Sequence, residues 1–213
     1  MNIDALIASL SEGLRPVARG AVGHRLAMGI AVGAFVAIII LSLTLGFRPD
    51  LWLAMQGPTF WMKWGYTISL SAAAILVTAR LARPDPGPLR SLWLLSVPVL
   101  ILAGVGVFDL AQTPRSDWLA MWLGKTWMVC PWLVLALAAP IFVGLLWSFR
   151  KLAPTRLRAA GAAAGLSAGA FAATIYCLHC PEVSAIFVLT WYSLGILLAA
   201  LVGALVGPRL LRW

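Results

Sequence analysis

Charge is what this chain has least of. Only 11% of its 213 residues are charged while 62% are apolar, and the mean hydropathy is +0.95; this excludes a soluble domain and leaves a protein that crosses a bilayer several times. Histidine is nearly absent. His24 and His179 are the whole supply, they fall on opposite sides of the predicted membrane, and no Cys-x-x-Cys-His attachment motif is present, so haem has little to hold it. The chain also lacks a Ser/His/Asp arrangement, a glycine-rich phosphate cradle and a cluster of carboxylates. Enzymatic readings other than thiol chemistry therefore have no residues to stand on, and the expectation is a protein that is not an enzyme. No predicted span carries a central acidic residue, which counts against a proton- or ion-coupled transporter. No cleavable leader is evident, because the first apolar run begins after about 25 mostly polar residues and continues to spanning length.

What is present is six apolar stretches, at 26–46, 60–79, 91–110, 126–147, 158–176 and 184–207, each near the length that crosses a bilayer. They predict an all-α integral membrane protein: a six-transmembrane-helix bundle over 25–213, in contact with lipid, preceded by a short N-terminal segment over 1–24. Six crossings put both termini on one side. Of the sixteen Lys and Arg residues, twelve lie in the tails and loops of that side, and Arg48, Lys63, Arg115 and Lys125 lie on the other. The positive-inside rule then makes both termini cytoplasmic. The net charge of +9 is explained by this distribution, and direct nucleic-acid binding is not expected.

Some sequence features read as structural. Gly161, Gly165 and Gly169 recur every four residues along one face of the fifth span, where they let another helix approach closely; the same face leaves a homodimer open. Trp52, Trp61, Trp64, Trp118, Trp122, Trp127 and Trp132 crowd the outer ends of the early spans as an interfacial belt. Pro98 and Pro140 lie inside spans.

Two stretches carry chemistry. Residues 1–24 show Ile3, Leu6, Ile7, Leu10 and Leu14 at helical spacing, with Asp4, Ser11 and Glu12 among the polar positions, before Pro16 ends the pattern. A helix lying on lipid would carry Lys or Arg along its polar face, and this one is mildly acidic until Arg15. An amphipathic helix that docks into a partner's groove fits it at least as well. The second stretch is Cys177-Leu178-His179-Cys180-Pro181-Glu182 between the last two spans. It holds two of the three cysteines, and Cys130 begins the fourth span on the same side. These thiols with His179 and Glu182 could form a tetrahedral site for a zinc-like soft ion, or Cys130 could pair with Cys180 or Cys177. No cofactor is otherwise required. A membrane thiol-disulfide oxidoreductase cycling Cys177 and Cys180 is the competing reading, but it needs a second redox pair or a quinone pocket, and one leftover cysteine does not supply it.

Taken together, the segment from Asp4-Ala5-Leu6-Ile7 to Arg15-Pro16-Val17, the Val129-Cys130-Pro131-Trp132 start of the fourth span and Cys180-Pro181-Glu182 before the sixth resemble the six-span membrane anti-sigma factors of proteobacteria typified by negative regulator of sigma F (NrsF). The likeness runs over essentially the whole chain. It implies a regulator in the bacterial inner membrane whose cytoplasmic tail holds an extracytoplasmic-function sigma factor inactive. It also implies that paired outer cysteines, here Cys130 and Cys180, serve the response to metal or oxidative stress. Cys177 is a further thiol to which the resemblance assigns no role. Asp4, Leu6, Ile7, Leu10 and Leu14 become the candidate sigma-binding residues.

Overall fold

The computed structural model describes residues 3–11, 20–84, 90–150 and 152–212. Among these residues the chain is helical, with no strand. A short helix α1 (Ile3–Ser11) comes first, and α2 (Ala21–Thr44) is the first long one. A small turn of helix, α3 (Leu51–Ala54), leads to α4 (Pro58–Leu81) and α5 (Trp93–Gln112). Another short helix, α6 (Trp118–Leu123), precedes α7 (Cys130–Phe149) and α8 (Leu157–Tyr176). The last long element runs from Ala185 to Leu210 as α9 (Ala185–Phe187), a π-helical turn (Val188–Tyr192) and α10 (Ser193–Leu210). Six helices are long and apolar enough to cross a membrane. They coincide with the six stretches read from the sequence, to within about five residues at their ends, the usual scatter of helix boundaries.

The differences have physical causes. α2 starts at Ala21 rather than 26, because a helix need not end where its apolar stretch does. Gly20, at φ 93°, makes the left-handed turn that opens it, and the helix carries straight through position 24. α7 starts at Cys130 rather than 126, because Pro131 at its second residue lacks an N–H that the first turn would leave unpaired in any case. Leu14, with Glu12, Arg15 and Pro16, lies outside the described residues.

α8 is the most deeply buried of the long helices and α5 the least. α8 packs against α10, α4 and α7, while α2 lies on α7 and α5 on α4. Small residues make these approaches possible. A side chain at Gly161, Gly165 or Gly203 would meet the backbone carbonyl of Gly203, Ala199 or Gly161 respectively, so α8 and α10 touch backbone to backbone. The glycine face is thus filled within the chain, and a second copy cannot use it. A second seam of this kind was not read from the sequence: Gly29 and Gly33 of α2 lie against Gly144 and Ile141 of α7. Large apolar side chains such as Phe35, Leu43, Leu100 and Phe108 point outward, as expected where the surroundings are hydrocarbon.

The bundle has two ends. Six antiparallel crossings bring the start of α2, the ends of α4 and α7, the start of α8 and the end of α10 to one end, where Arg25, Arg80, Arg150, Arg156 and Arg209 lie. We refer to it as the basic end. The other, the cysteine end, gathers the start of α7, the end of α8 and the loop that follows.

Candidate functional site

The 177–184 loop begins as a continuation of α8. Cys177 N donates to Ala173 O, and His179 N and Cys180 N both donate to Tyr176 O at 3.0 Å; this tight turn keeps Cys177 and Cys180 on the last wind of the helix. Pro181 then stops the pattern, and the Ser184 hydroxyl accepts from Phe187 N at 3.3 Å to cap α9. Cys130, Cys177 and Cys180 are free thiols and fully buried. The three are near neighbours, and the Tyr176 hydroxyl lies within reach of Cys130 and Cys180. Tyr192, at the end of the π turn, stacks on Tyr176 with ring centroids 5.5 Å apart. Its hydroxyl lies beside Cys177 and Cys180 but makes no hydrogen bond of good geometry. The three thiols and the two tyrosine rings thus form one buried cluster, the thiol chamber. Burial pushes the Cys177 thiol up to about 11, against the opposing pull of Lys63, so it holds its proton at neutral pH.

Four contacts clasp this loop. Lys63, one turn into α4 and fully buried, donates from Nζ to Cys180 O at 3.0 Å and Glu182 O at 2.5 Å. His179 Nδ1 pairs with Gly46 O at 2.9 Å, and Arg48 N donates to Leu178 O at 3.1 Å. The Glu182 carboxylate accepts through Oε1 from Lys125 N at 2.7 Å, and from Thr126 N and the Thr126 hydroxyl at 3.2 Å each. Gly124 makes room for that carboxylate: its φ is 57°, and a side chain there would strike Glu182 and Phe187. Of these side-chain bonds only that of Lys63 to Cys180 O is fully buried, where stranding the donor costs about 1–3 kcal/mol; the others are part-buried or exposed. Beside it, Arg48 grips Asp50 through two hydrogen bonds of 2.8 and 2.7 Å. That pairing raises the arginine and lowers the exposed carboxyl from their ordinary values.

Of the residues singled out in the sequence, the structure therefore unites the three cysteines. It turns His179 and Glu182 to other tasks, hydrogen-bonding the 46–48 and 124–126 connections. Among the described residues no three of His, Cys, Asp and Glu converge as a metal ion requires, so the candidate ligand set Cys130, Cys177, His179, Cys180 and Glu182 is not assembled in this arrangement. Asp4, Leu6, Ile7 and Leu10 lie on α1, none of whose residues is buried. Ile3, Ile7 and Leu10 are strongly exposed and share one helical face.

Lys63, Tyr176, Tyr192 and Thr67 belong to the site and were not read from the sequence. For Lys63 a signal existed. Lys63, Thr67 and Ser71 recur every four residues on one face of an otherwise apolar span, and a polar stripe within a span faces the protein interior. Tyr192 had none, because an aromatic residue within an apolar span does not announce which neighbours it faces.

The chain matches the family described as negative regulator of sigma F over residues 10–213. It is 40% identical over 216 residues to a probable anti-sigma-F factor NrsF from Azospira oryzae, with 100% of each chain covered. To an anti-sigma-F factor NrsF from Caulobacter vibrioides it is 38% identical over 213 residues, covering 99% of this chain and 97% of the relative. No solved structure matches the chain.

Proposed function

The chain belongs to the negative regulator of sigma F family, and from that premise we propose that it is a membrane anti-sigma factor of the bacterial inner membrane with both termini in the cytoplasm. Its N-terminal segment holds a sigma factor of the extracytoplasmic-function class away from RNA polymerase, and the outer thiols govern release. The observation that carries the reading is the unburied apolar face of α1. Ile3, Ile7 and Leu10 are exposed on a mildly acidic helix, in a form suited to a hydrophobic groove. Asp4, Leu6 and Leu14 complete the docking segment. The excess of basic residues at the basic end supports the orientation.

Release follows from thiol oxidation. A two-electron oxidant such as a peroxide takes one electron pair from two thiols: the S–S bond forms, both S–H bonds and the O–O bond break, and the two protons leave in two waters. Cys130 and Cys180 form the pair, so α7 becomes tied to the loop after α8. Turning a tenfold preference for the sigma-bound state into a tenfold preference for release requires about 2.7 kcal/mol of differential stabilisation between the two bundle states. The buried thiols, with Cys177 raised to about 11, fit a slow sensor better than a catalytic exchange site, which requires an accessible thiolate.

The test is co-purification from membranes of the full chain and of a chain lacking residues 1–20, each assayed by mass spectrometry for a bound sigma factor. Retention by the full chain and loss by the truncation is the expected result. Retention by both would move the docking site off α1, and retention by neither would end the anti-sigma reading. Cys130→Ser and Cys180→Ser should each abolish peroxide-triggered release; a response equal to the parent's removes the thiols from the mechanism.

A further inference from the structure

We infer that Lys63 is the coupling residue of this bundle: it fastens the thiol loop to α4, so that a change at the cysteines moves a span. The inference rests on the thiol-gated reading above. The contacts of His179, Arg48 and Glu182 join the loop to other connections, which can move with it. The Lys63 contact is different, because it joins the loop to the body of a long helix. Its two acceptors, Cys180 O and Glu182 O, flank Pro181, and one belongs to a thiol residue itself.

A disulfide between Cys180 and Cys130 fixes the Cys180 side chain to the first residue of α7, so any adjustment that closes it pulls on the Cys180 carbonyl. In a fully buried setting no water waits to replace the lost acceptor, so Nζ must follow its carbonyls and α4 must follow Nζ. Along the rest of α4, two inter-helix hydrogen bonds meet this pull: the Tyr66 hydroxyl lies 2.6 Å from the Ser193 hydroxyl of α10, and Thr78 is bonded to α8. Below Lys63 its buried face carries Thr67, Ser71 and Thr78. Thr67 and Ser71 donate to carbonyls of their own helix, at Lys63 and Thr67, and keep those partners when the helix slides. Thr78 shares a 2.8 Å hydrogen bond with Ser167 of α8. α8 and α10, by contrast, are locked backbone to backbone. α4 is therefore the span that Lys63 loads; it is tethered to the α8–α10 frame by the Tyr66–Ser193 and Thr78–Ser167 bonds, which a shift must break or carry along, and it ends beside Arg80 at the basic end.

The experiment uses the full chain in proteoliposomes, loaded with the sigma factor identified by the truncation test and treated with hydrogen peroxide. Disulfide formation is read by thiol-alkylation mass and sigma retention by sedimentation. Lys63→Met should form the disulfide as the parent does yet retain at least tenfold more sigma factor after oxidation. Release at the parental level would overturn the inference. A second readout needs no variant: hydrogen–deuterium exchange of residues 60–81 in the parent chain should change on oxidation while that of 161–169 does not. An α4 that exchanges identically before and after disulfide formation would overturn the inference even if Lys63→Met fails to fold. A parent chain that binds no sigma factor defeats the anti-sigma reading instead, and the exchange measurement still decides the coupling.

Discussion

The two ends of the bundle use charge in opposite ways. At the cysteine end the four basic residues Arg48, Lys63, Arg115 and Lys125 stand against the four acidic residues Asp50, Asp109, Asp117 and Glu182. Several of these side chains have specific partners: Arg48 grips Asp50, Lys63 holds two loop carbonyls and Glu182 holds two backbone N–H groups. In the sequence, the twelve basic residues of the other tails and loops are accompanied by only Asp4, Glu12 and Asp85, and there the excess itself is the signal. A paired charge acts through geometry and fails when one partner goes. An excess acts through the sum and tolerates single losses. The first organises a site, while the second, in the proposed topology, decides which side the termini take.

That contrast can be tested at both ends. The largest effect is expected in the chamber. Cys177 has its ordinary value of 9.0 moved to about 11 by burial, so below pH 9 its thiolate is about 100-fold scarcer than in the unfolded chain. Iodoacetamide should label native Cys177 at pH 8 at least that much more slowly than in dodecyl sulfate; equal rates would mean that the chamber is open. The sign of the linked stability follows. Between pH 9 and 11 the unfolded chain has lost a proton that the folded chain keeps, so the folded state weakens as pH rises through that window. A Cys177→Ala variant should show a flatter decline in melting temperature over the same range.

Next in size is Glu182→Ala, which removes three hydrogen bonds at a part-exposed joint where water can take over the donors, and should cost about 0.5–1.5 kcal/mol. This would appear as a lower melting temperature in detergent and faster alkylation of Cys130, and an unchanged protein would show that the cysteine end does not depend on its pairs. The smallest effect belongs to the basic end. Arg80→Ser with Arg83→Ser, both exposed, should alter stability by no more than about 0.5 kcal/mol and leave the termini on the same side in a protease-protection assay. A large loss there would erase the distinction between the two ends.

Much of the fold was legible because its signals are local or additive. The six spans declare themselves as unbroken apolar runs, and Gly161, Gly165 and Gly169 announce a close helix contact by spacing alone. The α2–α7 seam was not legible, since Gly29, Gly33 and Gly144 lie on two helices whose adjacency no spacing encodes. The thiol residues themselves stood out by scarcity. The work of His179 and Glu182 did not: each is a good ligand type in isolation, and the structure spends both on loop contacts. Lys63 read as one more outer basic residue, although its buried nitrogen lies at the centre of the clasp.

By itself the sequence determined that the chain is helical, holds six stretches long and apolar enough to cross a membrane, and carries its positive charge at one end and its thiols at the other. These are properties of segments, governed by the cost of placing polar groups in hydrocarbon. Only the tertiary structure decided that Cys130 joins the distant Cys177 and Cys180 in one buried cluster, that Tyr192 lies beside it, and that Lys63 ties its loop to a long helix. Those facts depend on which helices are neighbours and on their rotation about their axes. Both are set by close packing of small residues across the bundle rather than by the hydropathy of any one segment.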